Sequence, residues 1–292
     1  MEEYGVVIVH GIGAGTGESR RDFSAKLKAN VKKMVSSASD IVWEEADWEG
    51  VNDNIDSIAG RVVKRFCKKY IKEAVDDLRR EKSKRQPTTS ESSKNCIVEL
   101  IKWVCHKLKL FRLCVRCCAF CVCKEHLPDV IDAAIDLPLY MQNPKQKEIR
   151  AKVREAISKA ELRAKKVMLV GHSLGSVIAF DIAVAELVDN KSSRLAALVT
   201  MGSPLNWVSE IRRAEACEKM EAPRIKSIPW INFWDPEDPV PEFGALDRKV
   251  FPDVQNIKVE SKKKLISAHC NYWNDKDIAQ TIAKMLEGVC RG

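Results

Sequence analysis

Apolar residues recur along the chain with two different periods. Residues 5–9, Gly-Val-Val-Ile-Val, form an unbroken β-branched run that stops at His10-Gly11, the pattern of a strand buried on both faces of a parallel sheet. Over residues 19–35 the spacing changes: Phe23, Leu27, Val31 and Val35 recur every four positions, which predicts an amphipathic helix lying on that sheet. Asp40 to Trp48 reads as a second strand, whose Trp43 and Trp48 could line a substrate pocket but suit the core better. Far along the chain, Ile149, Val153, Ala156, Ile157 and Ala160 share one face of a helix over 145–164, opened by Pro144. Further strands are expected at 166–170, 195–201, 229–234 and 256–260, with a last helix over about 275–287. Strands separated by helices in this order predict an α/β fold, a doubly wound and mainly parallel sheet.

The alternation fails between residues 51 and 126, which reads as an insertion or helical cap in a core made of residues 1–50 and 127–292. Residues 51–78 have helical periodicity and 79–94 are polar. Residues 96–123 mix Trp103, Phe111, Leu113 and Phe120 with Lys102, Lys107, Lys109, Arg112 and Arg116. The uncharged runs there are far shorter than the roughly 20 residues a membrane-spanning helix needs, so an amphipathic helix lying in a membrane interface is the better reading. A cap over the active site is the competing one.

Charge alters the picture in that segment alone. Residues 61–126 hold 18 Lys and Arg against 7 Asp and Glu, a net +11, which leaves −3 for the rest of a chain that totals +8. This argues for a local patch that meets an anionic membrane surface through residues 96–123, and no nucleic-acid partner is expected. Eleven cysteines in a chain that opens without the marks of an export signal point to reduced thiols and a cytoplasmic protein, membrane-associated through the basic segment. Six of the cysteines fall between Cys105 and Cys123. The adjacent pairs Cys114/Cys117 and Cys118/Cys121 do not have the spacing of a zinc site; the cysteines read as small apolar residues or as sites of reversible acylation. No metal or cofactor is expected.

Candidate chemistry begins at Gly171-His172-Ser173-Leu174-Gly175, between the apolar run 167–170 and the helical residues 177–184. This is the G-x-S-x-G pattern of a nucleophile elbow, where a serine sits on a sharp turn between strand and helix. A side chain at Gly171 or Gly175 would crowd such a turn. The other glycine-rich stretch, Gly11 to Gly17, fails as a dinucleotide or phosphate loop because neither register of G-x-G-x-x-G is complete and no Gly-Lys-Ser/Thr follows. It remains either a tight turn or a loop that brings backbone N–H groups close to a reacting oxygen.

A serine hydroxyl needs a base, and the base needs an orienting acid. Of five histidines, His10 belongs to the first glycine turn, His106 and His126 flank the odd insertion, and His172 is expected to point away as the neighbour of the serine. His269 follows the last strand, where the chain order Ser, Asp, His requires the base. For the acid, Asp235, Glu237 and Asp238 compete within one loop. Asp238 is preferred because Asp235 sits at the strand end, where it could cap the turn instead.

Taken together, Val-His-Gly-Ile-Gly (9–13), Gly-His-Ser-Leu-Gly-Ser (171–176), Met-Gly-Ser-Pro-Leu (201–205), Trp-Asp-Pro-Glu-Asp-Pro-Val-Pro (234–241) and His269 make the chain resemble the α/β-hydrolase superfamily, in particular its intracellular serine esterases and lipase-like members. The resemblance covers about residues 1–48 and 129–290. It implies Ser173 as nucleophile, Asp238 as acid and His269 as base, with the backbone N–H groups of Ile12 and Leu174 as the oxyanion hole. It implies a serine esterase or lipase acting on a small-molecule or lipid ester, without a cofactor. The alternative is a catalytically silent hydrolase-fold module that docks a membrane or protein partner. The Cys-rich basic insertion departs from the family pattern.

Overall fold

The apolar runs become six strands of one sheet. In the computed structural model the described residues are 2–11, 18–35, 41–48, 140, 143–189, 194–216, 225, 227–238, 240–241, 244–263 and 266–289. All belong to one compact unit, Met1–Asp53 with Leu139–Gly292. The insertion expected at 51–126, its cysteine pairs and its basic segment 96–123 lie outside the described residues. Among the described residues no helix is long and apolar enough to cross a membrane.

The elements in chain order are β1 (Glu2–Val9), α1 (Glu18–Lys32), β2 (Ile41–Glu45), α2 (Asn143–Arg163), β3 (Ala164–His172), α3 (Leu174–Asp189), β4 (Leu195–Met201), α4 (Leu205–Ala216), β5 (Trp230–Trp234), β6 (Val254–Lys258), the short α5 (Ile266–His269), a 3-10 turn (Asn271–Asn274) and α6 (Lys276–Val289). The sheet order is β2-β1-β3-β4-β5-β6, and every neighbouring pair is parallel. Parallel pairing puts all the carboxyl ends on one edge, where loops rather than strands must supply any site. Strand register aligns Val7 with Leu169, and Leu169 with Leu198.

Alternation within the strands sorts side chains to two faces. Tyr4, Val6, Ile8, Met168, Val170, Val199 and Phe233 form one core cluster with Leu27 and Val31 of α1 and Ile278, Ile282 and Leu286 of α6. The other face packs against α2 and α3. There the five apolar residues expected on one side of α2, Ile149, Val153, Ala156, Ile157 and Ala160, are all buried.

Three details differ from the sequence expectation. The second strand stops at Glu45; Ala46 to Trp48 leave it, with Ala46 N–H donating to Ile8 O at 2.9 Å and Trp48 Nε1 donating to His10 O at 3.1 Å. Trp48 is therefore a core residue that braces the turn after β1. Helix α4 had no clear signal, because Glu210, Arg212 and Arg213 interrupt the apolar spacing of Leu205 and Val208. Between β5 and β6 there is no helix among the described residues. Side-chain amides serve that connection: Asn256 accepts Leu246 N–H at 3.1 Å and donates to Leu246 O at 3.0 Å, and Asn206 Nδ2 donates to Ala245 O at 3.0 Å.

One charged group is buried on the α2/α3 face. Asp181 of α3 accepts both arms of the Arg212 guanidinium, at 2.8 and 2.7 Å, the Tyr140 hydroxyl at 2.7 Å and Arg150 Nη2 at 2.9 Å. Burial by itself would raise its pKa, but the bonds and charges of Arg212 and Arg150 outweigh it and hold the carboxyl below the ordinary aspartate range. This network ties the otherwise apolar α3 to α2, α4 and Tyr140. A carboxylate with a lowered folded pKa contributes stability that is complete above the ordinary aspartate range and is lost as pH falls through the lowered value. Asp181→Asn leaves two arginines without their counter-charge, so urea unfolding at pH 7 should show a loss of about 3 kcal/mol. The loss should shrink toward pH 2; a change below about 1 kcal/mol at pH 7 would mean that the arginines simply turn to solvent.

Candidate active site

Strand β3 ends at His172 and helix α3 starts at Leu174, so Ser173 alone carries the change of direction. It does so with φ +55°, a left-handed conformation that costs an ordinary L-residue roughly 1–2 kcal/mol. The surroundings hold it there. Ser173 N–H donates to Met201 O at 3.0 Å, and Ser173 O accepts Ser176 N–H at 2.9 Å together with the Ser176 hydroxyl. Ser176 Oγ in turn lies 2.7 Å from Ser203 Oγ at the end of β4.

Glycine is needed here for clearance. A Cβ on Gly175 would sit 2.1 Å from Val9 O and 2.3 Å from His10 O; one on Gly171 would sit 2.6 Å from Gly175 O. The elbow helix thus starts hard against the end of β1. Through the same contact Gly11, at the start of the glycine-rich loop, is brought against the serine: a Cβ there would lie 2.5 Å from Ser173 Cβ and 3.1 Å from its Oγ.

The acid lies on the loop that follows β5 and the base at the end of the short α5, after β6. His269 Nδ1 and Asp238 Oδ2 are 2.8 Å apart, and Asp238 is fully buried. A carboxylate can only accept, so Nδ1 carries the proton and Nε2 keeps the lone pair that a general base requires. Asp235 is committed elsewhere: its Oδ1 accepts Glu237 N–H at 2.8 Å and its Oδ2 accepts Ser261 N–H at 2.8 Å. It shapes the loop, while Asp238 faces the histidine. Asp238 is itself fixed in rotation, because Oδ1 accepts Val240 N–H at 2.9 Å.

His172 does not point away, as expected from its place beside the serine. It shares the parity of Met168 and Val170 on β3, so it faces the side of the sheet where Tyr272 and Trp273 are packed. Its ring lies over that of His269, centroids 4.5 Å apart, and its Nε2 meets His269 O at 2.8 Å. The acceptor is a carbonyl, so Nε2 is the protonated nitrogen. Burial first, and the neighbouring His269 second, push its pKa well below the ordinary histidine value, so it stays neutral. His172 thus connects the turn of the nucleophile to the backbone of the candidate base.

Two more residues complete the surroundings: Gly202, from the Met-Gly-Ser-Pro-Leu block, and Tyr272, which had no sequence signal. Gly202, with φ +55°, passes so close that a Cβ would lie 2.9 Å from Asp238 Oδ2 and 3.0 Å from His269 Cε1. The Tyr272 hydroxyl lies 2.8 Å from Asp238 Oδ2. Of the other sequence candidates, Leu174 is the first residue of α3, where a backbone N–H has no partner within the helix. Ile12 lies outside the described residues. His10 is buried, 5.1 Å from the Trp273 ring and 3.6 Å from Glu45. Trp43 is packed against the core cluster, with Lys28 Nζ 5.9 Å over its ring. The arrangement offers a strained serine, an imidazole oriented by a buried carboxylate, and a helix N-terminus beside the serine. These are the parts that acyl transfer requires.

The family model described as Lipase (class 3) matches residues 123–246, a span that contains Ser173 and Asp238 and ends before His269. No curated protein matches the chain.

Proposed function

We propose, from the premise that the chain is a lipase-like member of the α/β-hydrolase superfamily, that it is a serine carboxylester hydrolase acting on an apolar or lipid ester. The observation that carries the reading is the strand-to-helix turn at Ser173, φ +55°, on the same sheet edge as the His269–Asp238 pair at 2.8 Å.

In this reading His269 Nε2 takes the proton of Ser173 Oγ as the oxygen attacks the ester carbonyl. The resulting oxyanion is stabilised by the backbone N–H of Leu174, at the positive end of α3, and by that of Ile12. The protonated His269 then gives its proton to the leaving alcohol, and the C–O bond breaks to leave an acyl-serine. Water, deprotonated by the same histidine, attacks that ester and releases the acid. Asp238 keeps the imidazole in the required tautomer throughout. No step calls for a cofactor.

The basic segment belongs to the same proposal. Residues 96–123 would bind anionic membrane surfaces reversibly, each basic side chain contributing on the order of 1 kcal/mol, and so bring a cytoplasmic enzyme to lipid esters. Support is the charge of +11 over residues 61–126 beside Trp103, Phe111 and Phe120.

Hydrolysis of p-nitrophenyl butyrate tests the chemistry. Ser173→Ala should abolish turnover with an unchanged melting temperature. Asp238→Asn should lower kcat by roughly 10⁴-fold, and Asp235→Asn far less unless it unfolds the loop. Equal activity of Ser173→Ala and the parent would refute the serine mechanism. A parent inert to esters but still bound to its partner would instead favour a silent docking module. For the membrane contact, sedimentation with vesicles is decisive: the parent should pellet with anionic but not neutral vesicles at low salt, and a variant lacking residues 96–123 should stay in solution. Equal pelleting of the two would remove the basic segment from the account.

A further inference from the structure

We propose that Tyr272 is a positioning residue for the reaction, its hydroxyl setting both the direction and the effective charge of the Asp238 carboxylate that orients His269. The inference rests on the reading of Ser173, His269 and Asp238 as nucleophile, base and acid.

The phenol is locked at both ends. Its oxygen accepts Asp235 N–H at 2.9 Å, so its own proton is free to go elsewhere, and Asp238 Oδ2 lies 2.8 Å away. Burial, with the adjacent Asp238 charge second, pushes the pKa of Tyr272 far up; the hydroxyl therefore stays protonated and can act only as donor to that carboxylate. With Asp238 Oδ1 held by Val240 N–H, the remaining oxygen receives two donors, Tyr272 Oη–H and His269 Nδ1–H. Two donors on one anionic oxygen share its charge, so each draws less from it than it would alone.

The arrangement is also compact in sequence. Tyr272 follows His269 by three residues in the segment formed by α5 and the 3-10 turn, so one short piece of chain carries the base and the group that aims its acid. Among the described residues, the titratable groups facing Tyr272 and His269 are Asp238, the neutral His172 at 4.5 Å from His269, and Asp235, whose carboxylate is occupied by Glu237 N–H and Ser261 N–H.

Tyr272→Phe keeps the buried ring and removes the hydroxyl. Asp238 Oδ2 then presents its whole charge to His269 and favours the imidazolium, so a higher pH is needed to free the base. The acid limb of the kcat/KM profile for p-nitrophenyl butyrate should move up by about 0.5 pH unit. Asp235 N–H also loses its acceptor and the carboxylate is free to tilt, so kcat should fall about tenfold with KM unchanged. The limb is read within one variant and is insensitive to the fraction folded, which keeps the test valid if the variant is less stable. In an Asp238→Asn background the same substitution should change kcat by less than about twofold, because its target is gone. An active parent whose Tyr272→Phe variant keeps the acid limb, or loses activity by the same factor in both backgrounds, overturns the inference and leaves the serine mechanism standing. A parent with no esterase activity overturns the reading on which it rests.

Discussion

The clearance between Gly175 and the end of β1 is the constraint on which the rest of the site depends. Helix α3 can begin directly after Ser173 only because nothing larger than hydrogen stands between Gly175 and the carbonyls of Val9 and His10, 2.1 and 2.3 Å from where a Cβ would be. That contact forces the serine into a left-handed turn and presses Gly11 against it. It also sets α3 so that Asp181, two turns further on, reaches Arg212 and Arg150 behind the sheet. Strain of roughly 1–2 kcal/mol at one residue is held by packing on both sides of the sheet. Such strain persists only where the surroundings over-determine it.

From that turn the construction passes outward through hydrogen bonds rather than apolar contact. His172 ties the elbow to His269 O, His269 is tied to Asp238, and Asp238 is tied to Tyr272 and Val240. These links tie the segments after β3, β5 and β6 together at the carboxyl edge of a parallel sheet. Asp238, His172 and His269 are all buried there, and buried surroundings are where an oriented imidazole and fixed N–H dipoles act most strongly on developing charge.

Much of this was legible in the residues. Short apolar stretches located five strands to within two or three residues, and spacings of three and four located α1 and α2, because buried strands and helices buried on one face leave those two signatures. The second strand was overextended, since the pattern continues through Trp48 while the chain leaves the sheet at Ala46 to brace the next turn. Helix α4 was illegible because its short apolar stripe is interrupted by the exposed Glu210 and by Arg212, which turns inward to Asp181. At the candidate site, Ser173, Asp238 and His269 stand out by motif and chain order. His172 was misread, although its parity with Met168 and Val170 places it on the His269 side of the sheet. Tyr272 had no signal at all: an aromatic residue beside a helix reads as core, and its ring is core. Only the position of one hydroxyl, fixed by the return of the β5 loop from far along the chain, distinguishes it.

If Ser173 is a nucleophile activated by its surroundings, as proposed, it differs from a serine in an ordinary turn, which does not react with phosphorylating reagents at neutral pH. Intact-protein mass spectrometry after incubation with a fluorophosphonate, followed by peptide mapping, addresses it directly. One adduct per chain is expected, on the peptide containing Ser173, formed in the parent and lost in Ser173→Ala. An unmodified parent, or an adduct mapping to another residue, would contradict it.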